Sequence, residues 1–174
     1  MVEECCQSVV SASSTDTANY LMPDLCLRFA TPEDSHAIFQ LVCALAEYEK
    51  LGHEVVSTPA DFLRTLSDPG SNVEVLLAFW RQETVGFALF FENFSTFLGK
   101  PGLYLEDLFV QPEYRGKGIG TALMMRLIEI AKERNYGRVE WAVLDWNEPA
   151  IEFYRKKIGA KLMSSWRICR LTLE

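Results

Sequence analysis

From Leu25 onward, apolar residues alternate between two periods, and the changes of period divide the chain into elements. "LCLRFA" (25–30) has the two-residue alternation of a short strand. Thr31-Pro32-Glu33-Asp34 then supplies a capping hydroxyl, a first-turn proline and acids near the positive end of a helix. Ile38, Leu41, Val42, Leu45 and Ala46 recur at helical spacing through Glu49. Thr58-Pro59 opens a second, shorter helix, which Asp68-Pro69-Gly70 closes. "VEVLLAFW" (73–80), the turn "RQET" and "VGFALFFENF" (85–94) predict a β-hairpin, followed by a strand over 102–110. A helix is predicted over 119–134, with Ala122, Leu123, Met125, Leu127, Ile128 and Ile130 on its buried side. Strand 138–144, helix 148–156 and strand 166–173 complete the order β-α-α-β-β-β-α-β-α-β. That order predicts an α+β domain with a mixed, mostly antiparallel sheet flanked by helices.

Residues 1–24 stand apart from this pattern. Their Ser/Thr/Ala composition, with two early glutamates and no arginine, fits a disordered N-terminal tail rather than a secretory or transit peptide. One domain is expected over 25–174. No apolar run approaches the ~18 residues of a membrane helix. The 24 acidic and 17 basic residues give a net charge of -7, which disfavours nucleic acid and suits cationic small molecules. Five cysteines, odd in number and without paired metal spacing, read as reduced thiols of a cytoplasmic protein, with Cys5-Cys6 a possible redox handle in the tail. His36 and His53 lie far apart without ligand partners, so no metal site is expected.

The chemistry concentrates in "EDLFVQPEYRGKGIG" (106–120), where a strand stops and a long helix begins. The first N–H groups of a helix lack partners and its dipole is positive there, a setting prepared for an anion. Gly116, Gly118 and Gly120 let phosphate oxygens approach those amides, and Arg115 can add a bidentate grip. The spacing is neither a Walker loop nor the Gly-x-Gly-x-x-Gly dinucleotide fingerprint. Taken alone, the glycines also suit a tight strand-to-helix turn.

"QPEYRGKGIGTALM" resembles the pyrophosphate-binding signature of the GNAT N-acetyltransferase superfamily, and the resemblance extends from Leu25 to the C terminus. "LAEYEKL", "LYLEDLFV", "PEYRGKGIG", "VLDWN" with "AIEFY", "GRVEW" and "WRICRLT" are similar to the diamine (spermidine/spermine) acetyltransferases, closest to their thialysine- and ornithine-acetylating, plant-like branch. The resemblance implies acetyl-CoA as cosubstrate, splayed central strands that admit its pantetheine arm, and a homodimer. It places main-chain amides of Leu108, Phe109 and Val110 on the pantetheine and the thioester oxygen. Arg115, Gly116, Lys117, Gly118, Ile119, Gly120 and Thr121 would hold the pyrophosphate, with Asn147, Glu148, Pro149 and Ala150 lining the cofactor's other side.

An aliphatic ammonium, with a pKa near 10, must lose a proton before it attacks a thioester. The resemblance makes Glu106 the general base and Tyr154 the acid for the departing thiolate. Strand alternation points Glu106 and Asp107 to opposite faces, leaving one for catalysis and the other for substrate or structure. On the substrate side the resemblance implies Tyr48 and Glu49, which receive a distal cation, together with Glu140, Trp141 and Ala142. Where the polyamine branch carries additional acids and a tryptophan, this chain has Ser95, Phe97 and Ser164-Ser165. Two lost carboxylates weaken attraction for a long polycation by ~1 kcal/mol each. A short diamine or basic amino acid is therefore expected over spermine. "FYRKKIGA" is one residue longer than the family's spacing, and the extra residue is expected to adjust the helix end after Gly159. Two other classes compete: a protein N-terminal or lysine acetyltransferase, and a non-catalytic acyl-CoA-binding regulator.

Overall fold

Two threonine caps set the entry of the helical layer. In the computed structural model, which describes residues 22–173, Thr31 N–H donates to Asp34 Oδ2 at 2.7 Å and Thr58 N–H to Asp61 Oδ2 at 2.8 Å. Each carboxylate also accepts from the threonine hydroxyl beside it, at the two positions where the sequence places a capping threonine. Helices α1 (Ser35–Tyr48) and α2 (Pro59–Ser67) follow these caps. Residues 1–21, most of the tail expected over 1–24 and including Cys5-Cys6, lie outside the described residues.

Strands β1 (Leu25–Phe29), β2 (Val73–Trp80), β3 (Glu83–Ser95), β4 (Lys100–Val110) and β5 (Val139–Trp141) form one sheet in that spatial order. The pairings from β1 to β4 are antiparallel. Ile38, Leu41 and Leu45 of α1 pack on Val75, Leu77, Phe87 and Phe109 on one face of the sheet. Full burial of each such side chain contributes about 1.5–3 kcal/mol. Helix α3 (Ile119–Glu133) packs against β2, β3 and β4 through the buried Leu123, Met124, Leu127 and Ile130. Met124 fills the buried position that the sequence pattern gives to Met125, which is exposed.

The β3–β4 register contains one irregularity that shapes the site. Asp107 pairs with Leu89 and Leu105 with Phe90, so Glu106 is an inserted residue, a β-bulge. Directly paired residues share a face, and Leu89 belongs to the α1-side cluster. Asp107 therefore faces the α1 layer, whereas Leu105, two residues earlier, faces away. The insertion interrupts the regular pleat at this point, with Glu106 exposed and Asp107 half-buried.

The chain divides after Glu140 into two units. The second contains α4 (Glu148–Glu152) and then a π-helical turn over Phe153–Ile158, closed by Gly159 at φ +81°. A π turn is how a helix absorbs one inserted residue. The additional residue of "FYRKKIGA" is thus taken up before Gly159, not after it. Two further expectations change here. The strand predicted over 138–144 is limited to Val139–Trp141, and a turn follows where Asn147 N–H donates to Leu144 O. Residues 166–173 form no strand: Trp166, Ile168, Leu171 and Leu173 are exposed, and an apolar pattern without a ladder partner does not make a strand.

Candidate active site

The glycine turn has the geometry of an anion cradle. Gly116 and Gly118 hold φ +78° and +83°, a region that costs other residues about 1–2 kcal/mol. A Cβ on Gly116 would meet none of the described residues within 4 Å, so none of them fills that approach. Gly118 is the N-cap of α3 and offers no side-chain cap. The helical bonds begin with Ala122 N–H to Gly118 O at 2.9 Å, leaving the first-turn amides as donors. These features fit the pyrophosphate of a CoA ester. Met22 borders the turn, its Cε 3.0 Å from where a Cβ on Gly118 would lie. No sequence pattern marks that contact.

Arg115 is less free than expected. Its Nε donates to Val110 O at 2.9 Å, and its guanidinium lies 4.3 Å from the centroid of the Tyr48 ring and 5.5 Å from that of Phe109. Lys117 Nζ sits 5.4 Å over the Trp80 ring. The Phe109 side chain belongs to the core, so only its main chain is available to a ligand. Leu108 and Val110, its neighbours on β4, are half-buried, as are Gly120 and Thr121 at the start of α3, and Ile119 is buried.

Two carboxyl groups of β4 and one at the end of α1 are linked electrostatically. Asp107 is raised to about 6, first by burial, then by the charge of Glu106 and then by that of Glu49. Burial also raises Glu49, which follows the last residue of α1. Glu106, at the bulge, is exposed. Among the described residues no ion pair involves Glu49, Glu106 or Asp107. Glu49 and Asp107, held above their ordinary range and without an ion-pair partner among the described residues, are suited to a cationic ligand. Glu140, by contrast, is already paired with Arg138 at 2.8 Å. Ser95 is buried and its Oγ accepts Leu98 N–H, while Phe97 is 94% exposed.

In the second unit, Asn147 is buried and its side chain accepts Ala150 N–H at the start of α4, with Glu148 and Pro149 exposed. Tyr154 is buried, its ring 5.0 Å from that of Trp141 and 5.2 Å from that of Phe153, and its carbonyl accepts Ala160 N–H across the π turn. Ala142 is exposed. Among the described residues no group of three or more His, Cys, Asp or Glu could hold a metal ion, and no helix is long and apolar enough to cross a membrane.

Residues 36–160 match the model of the acetyltransferase (GNAT) family. The chain is 34% identical to the L-ornithine N5-acetyltransferase of Arabidopsis thaliana, over 84% of this chain and 83% of that protein. It is 35% identical to a thialysine N-epsilon-acetyltransferase of Caenorhabditis elegans, over 71% of this chain and 76% of that protein. Among solved structures, an integron cassette protein from the mobile metagenome of V. cholerae superposes with a TM-score of 0.71 at 28% identity, covering 86% of this chain and 93% of its own. An aminoglycoside acetyltransferase from an uncultured soil sample shares the fold, with a TM-score of 0.74 at 19% identity over 88% of this chain and 99% of its own.

Proposed function

The chain belongs to the acetyltransferase (GNAT) family, and we propose that it transfers the acetyl group of acetyl-CoA to the amine of a short substrate with two ammonium groups, an ornithine- or thialysine-like amino acid or a short diamine. The observation that carries this reading is the set of Glu49, Glu106 and Asp107, none ion-paired among the described residues, in which the burial of Glu49 and Asp107 and the neighbouring charges on Asp107 await a cation. A short substrate with two positive groups offsets those charges.

The glycine turn binds the pyrophosphate through the amides that open α3. Glu106, exposed at the bulge, takes the proton that the ammonium must lose, directly or through one water. The freed amine attacks the acetyl carbon, the new N–C bond replaces the C–S bond, and Tyr154 gives its phenolic proton to the departing sulfur. Asp107 and Glu49 hold the second cationic group. The same reading includes a homodimer and a cytoplasmic location, which sizing chromatography and localisation of a tagged chain would check. The test of function is turnover of acetyl-CoA with L-ornithine and thialysine, with the product identified by mass. A singly acetylated amine is expected; no acetylated product with either substrate or with 1,4-diaminobutane contradicts the proposal.

A further inference from the structure

We propose that Arg115 is a positioning residue that clamps Tyr48 and thereby ties amine recognition to the phosphate-binding turn. The inference rests on the functional reading above. Arg115 directly precedes Gly116, the first glycine of the cradle, and its Nε is given to Val110 O at the end of β4. With Nε so engaged, the side-on Nε/Nη fork is not available to a phosphate. The guanidinium plane instead covers Tyr48, the last residue of α1, at 4.3 Å, well within cation–π range. Tyr48 is followed by Glu49, whose charge reaches Asp107. One side chain therefore touches the cofactor turn, the end of β4 and the helix terminus that carries an amine-binding acid.

If a CoA ester orders residues 115–121, the clamp carries that order to the end of α1. Arg115→Gln should raise the KM for L-ornithine about 10-fold at saturating acetyl-CoA, the scale of one lost cation–π contact. It should leave kcat and the calorimetric Kd of CoA within about threefold. Tyr48→Leu should produce a similar rise, and the double variant no more than either single one. Arg115→Lys keeps the charge without the planar fork and should resemble Arg115→Gln. A loss of CoA affinity of about 10-fold or more with unchanged ornithine KM, full rescue by lysine, or multiplying effects in the double variant would each overturn the clamp. Amide hydrogen exchange tests it without any amine. In the wild type, adding CoA should slow exchange over residues 45–51, and in Arg115→Gln or Arg115→Lys it should not. Exchange there that ignores CoA in the wild type overturns the clamp, whereas absent ornithine turnover with CoA-dependent protection overturns only the substrate reading.

Discussion

Glu49, one residue beyond α1, acts electrostatically on Asp107 of β4, although 57 positions separate them in sequence. Asp107 is raised from 3.8 to about 6 by burial, Glu106 and Glu49, in that order. A carboxyl with a raised folded pKa binds more protons in the native state than in the unfolded one. Its ionisation therefore lowers stability as pH rises from about 4 through 6, and the full cost is present above 6. Asp107→Asn should stabilise the ligand-free protein at pH 7.5 by about 1–2 kcal/mol, discounted for partial exposure, and the gain should vanish below pH 4. Urea unfolding at both pH values measures this. A less stable variant at pH 7.5 contradicts it.

The same titration sets an acid limb for catalysis. As pH falls through about 6, Asp107 gains a proton and loses its attraction for a cation. For L-ornithine, kcat/KM should decline below pH 6, while the corresponding limb in kcat should lie lower because bound cation favours the carboxylate. Coincident limbs in the two profiles would show that Asp107 does not face the substrate's charge.

Glu49 tests charge reading separately. Glu49→Gln should weaken amines with a second positive group and hardly affect a monoamine of equal length. The difference should shrink in high salt, since Glu49 is only half-buried. Equal losses for both substrate types would remove Glu49 from cation recognition.

The two positive-φ glycines of the turn predict different costs. Gly116→Ala meets none of the described residues within 4 Å and should lose only the ~1–2 kcal/mol of its positive φ, read as a lower Tm. Gly118→Val adds a clash with Met22 and should also reduce CoA affinity at least ~10-fold by obstructing the amides. Calorimetry showing wild-type CoA affinity in a folded Gly118→Val protein would refute the cradle.

The parts of this molecule legible in sequence are those fixed by local chemistry. Thr31-Pro32 and Thr58-Pro59 announce their helices because a capping hydroxyl and a first-turn proline act within four residues. Strand β2 was legible because burial on both faces leaves a continuous apolar run over 75–80. The bulge at Glu106 was not, since register depends on β3 and leaves no mark on β4 alone. Arg115 reads as a phosphate ligand in one dimension because its aromatic partner, Tyr48, lies on a distant element. The π turn did have a signal, the additional residue in "FYRKKIGA", but spacing alone could not say on which side of Gly159 it would be absorbed.

Tyr154 is the proposed acid, and its buried ring between Trp141 and Phe153 also suits simple packing. Tyr154→Phe preserves those ring contacts, so folding and CoA affinity should survive while kcat falls ~10²-fold. A folded variant with kcat within about threefold of wild type, under chemistry-limited turnover, would leave Tyr154 as a packing residue.

The substrate class is the central claim, and a ratio of specificity constants tests it most directly. With saturating acetyl-CoA, kcat/KM should be compared for L-ornithine, thialysine, 1,4-diaminobutane, spermine and a peptide bearing a free N-terminus and one lysine. Three carboxylates relieved by one short substrate with two ammonium groups predict that ornithine, thialysine or the diamine exceeds both spermine and the peptide by at least ~10-fold, about 1.4 kcal/mol of transition-state discrimination. A peptide or spermine turned over as well as the best of these short substrates would contradict it.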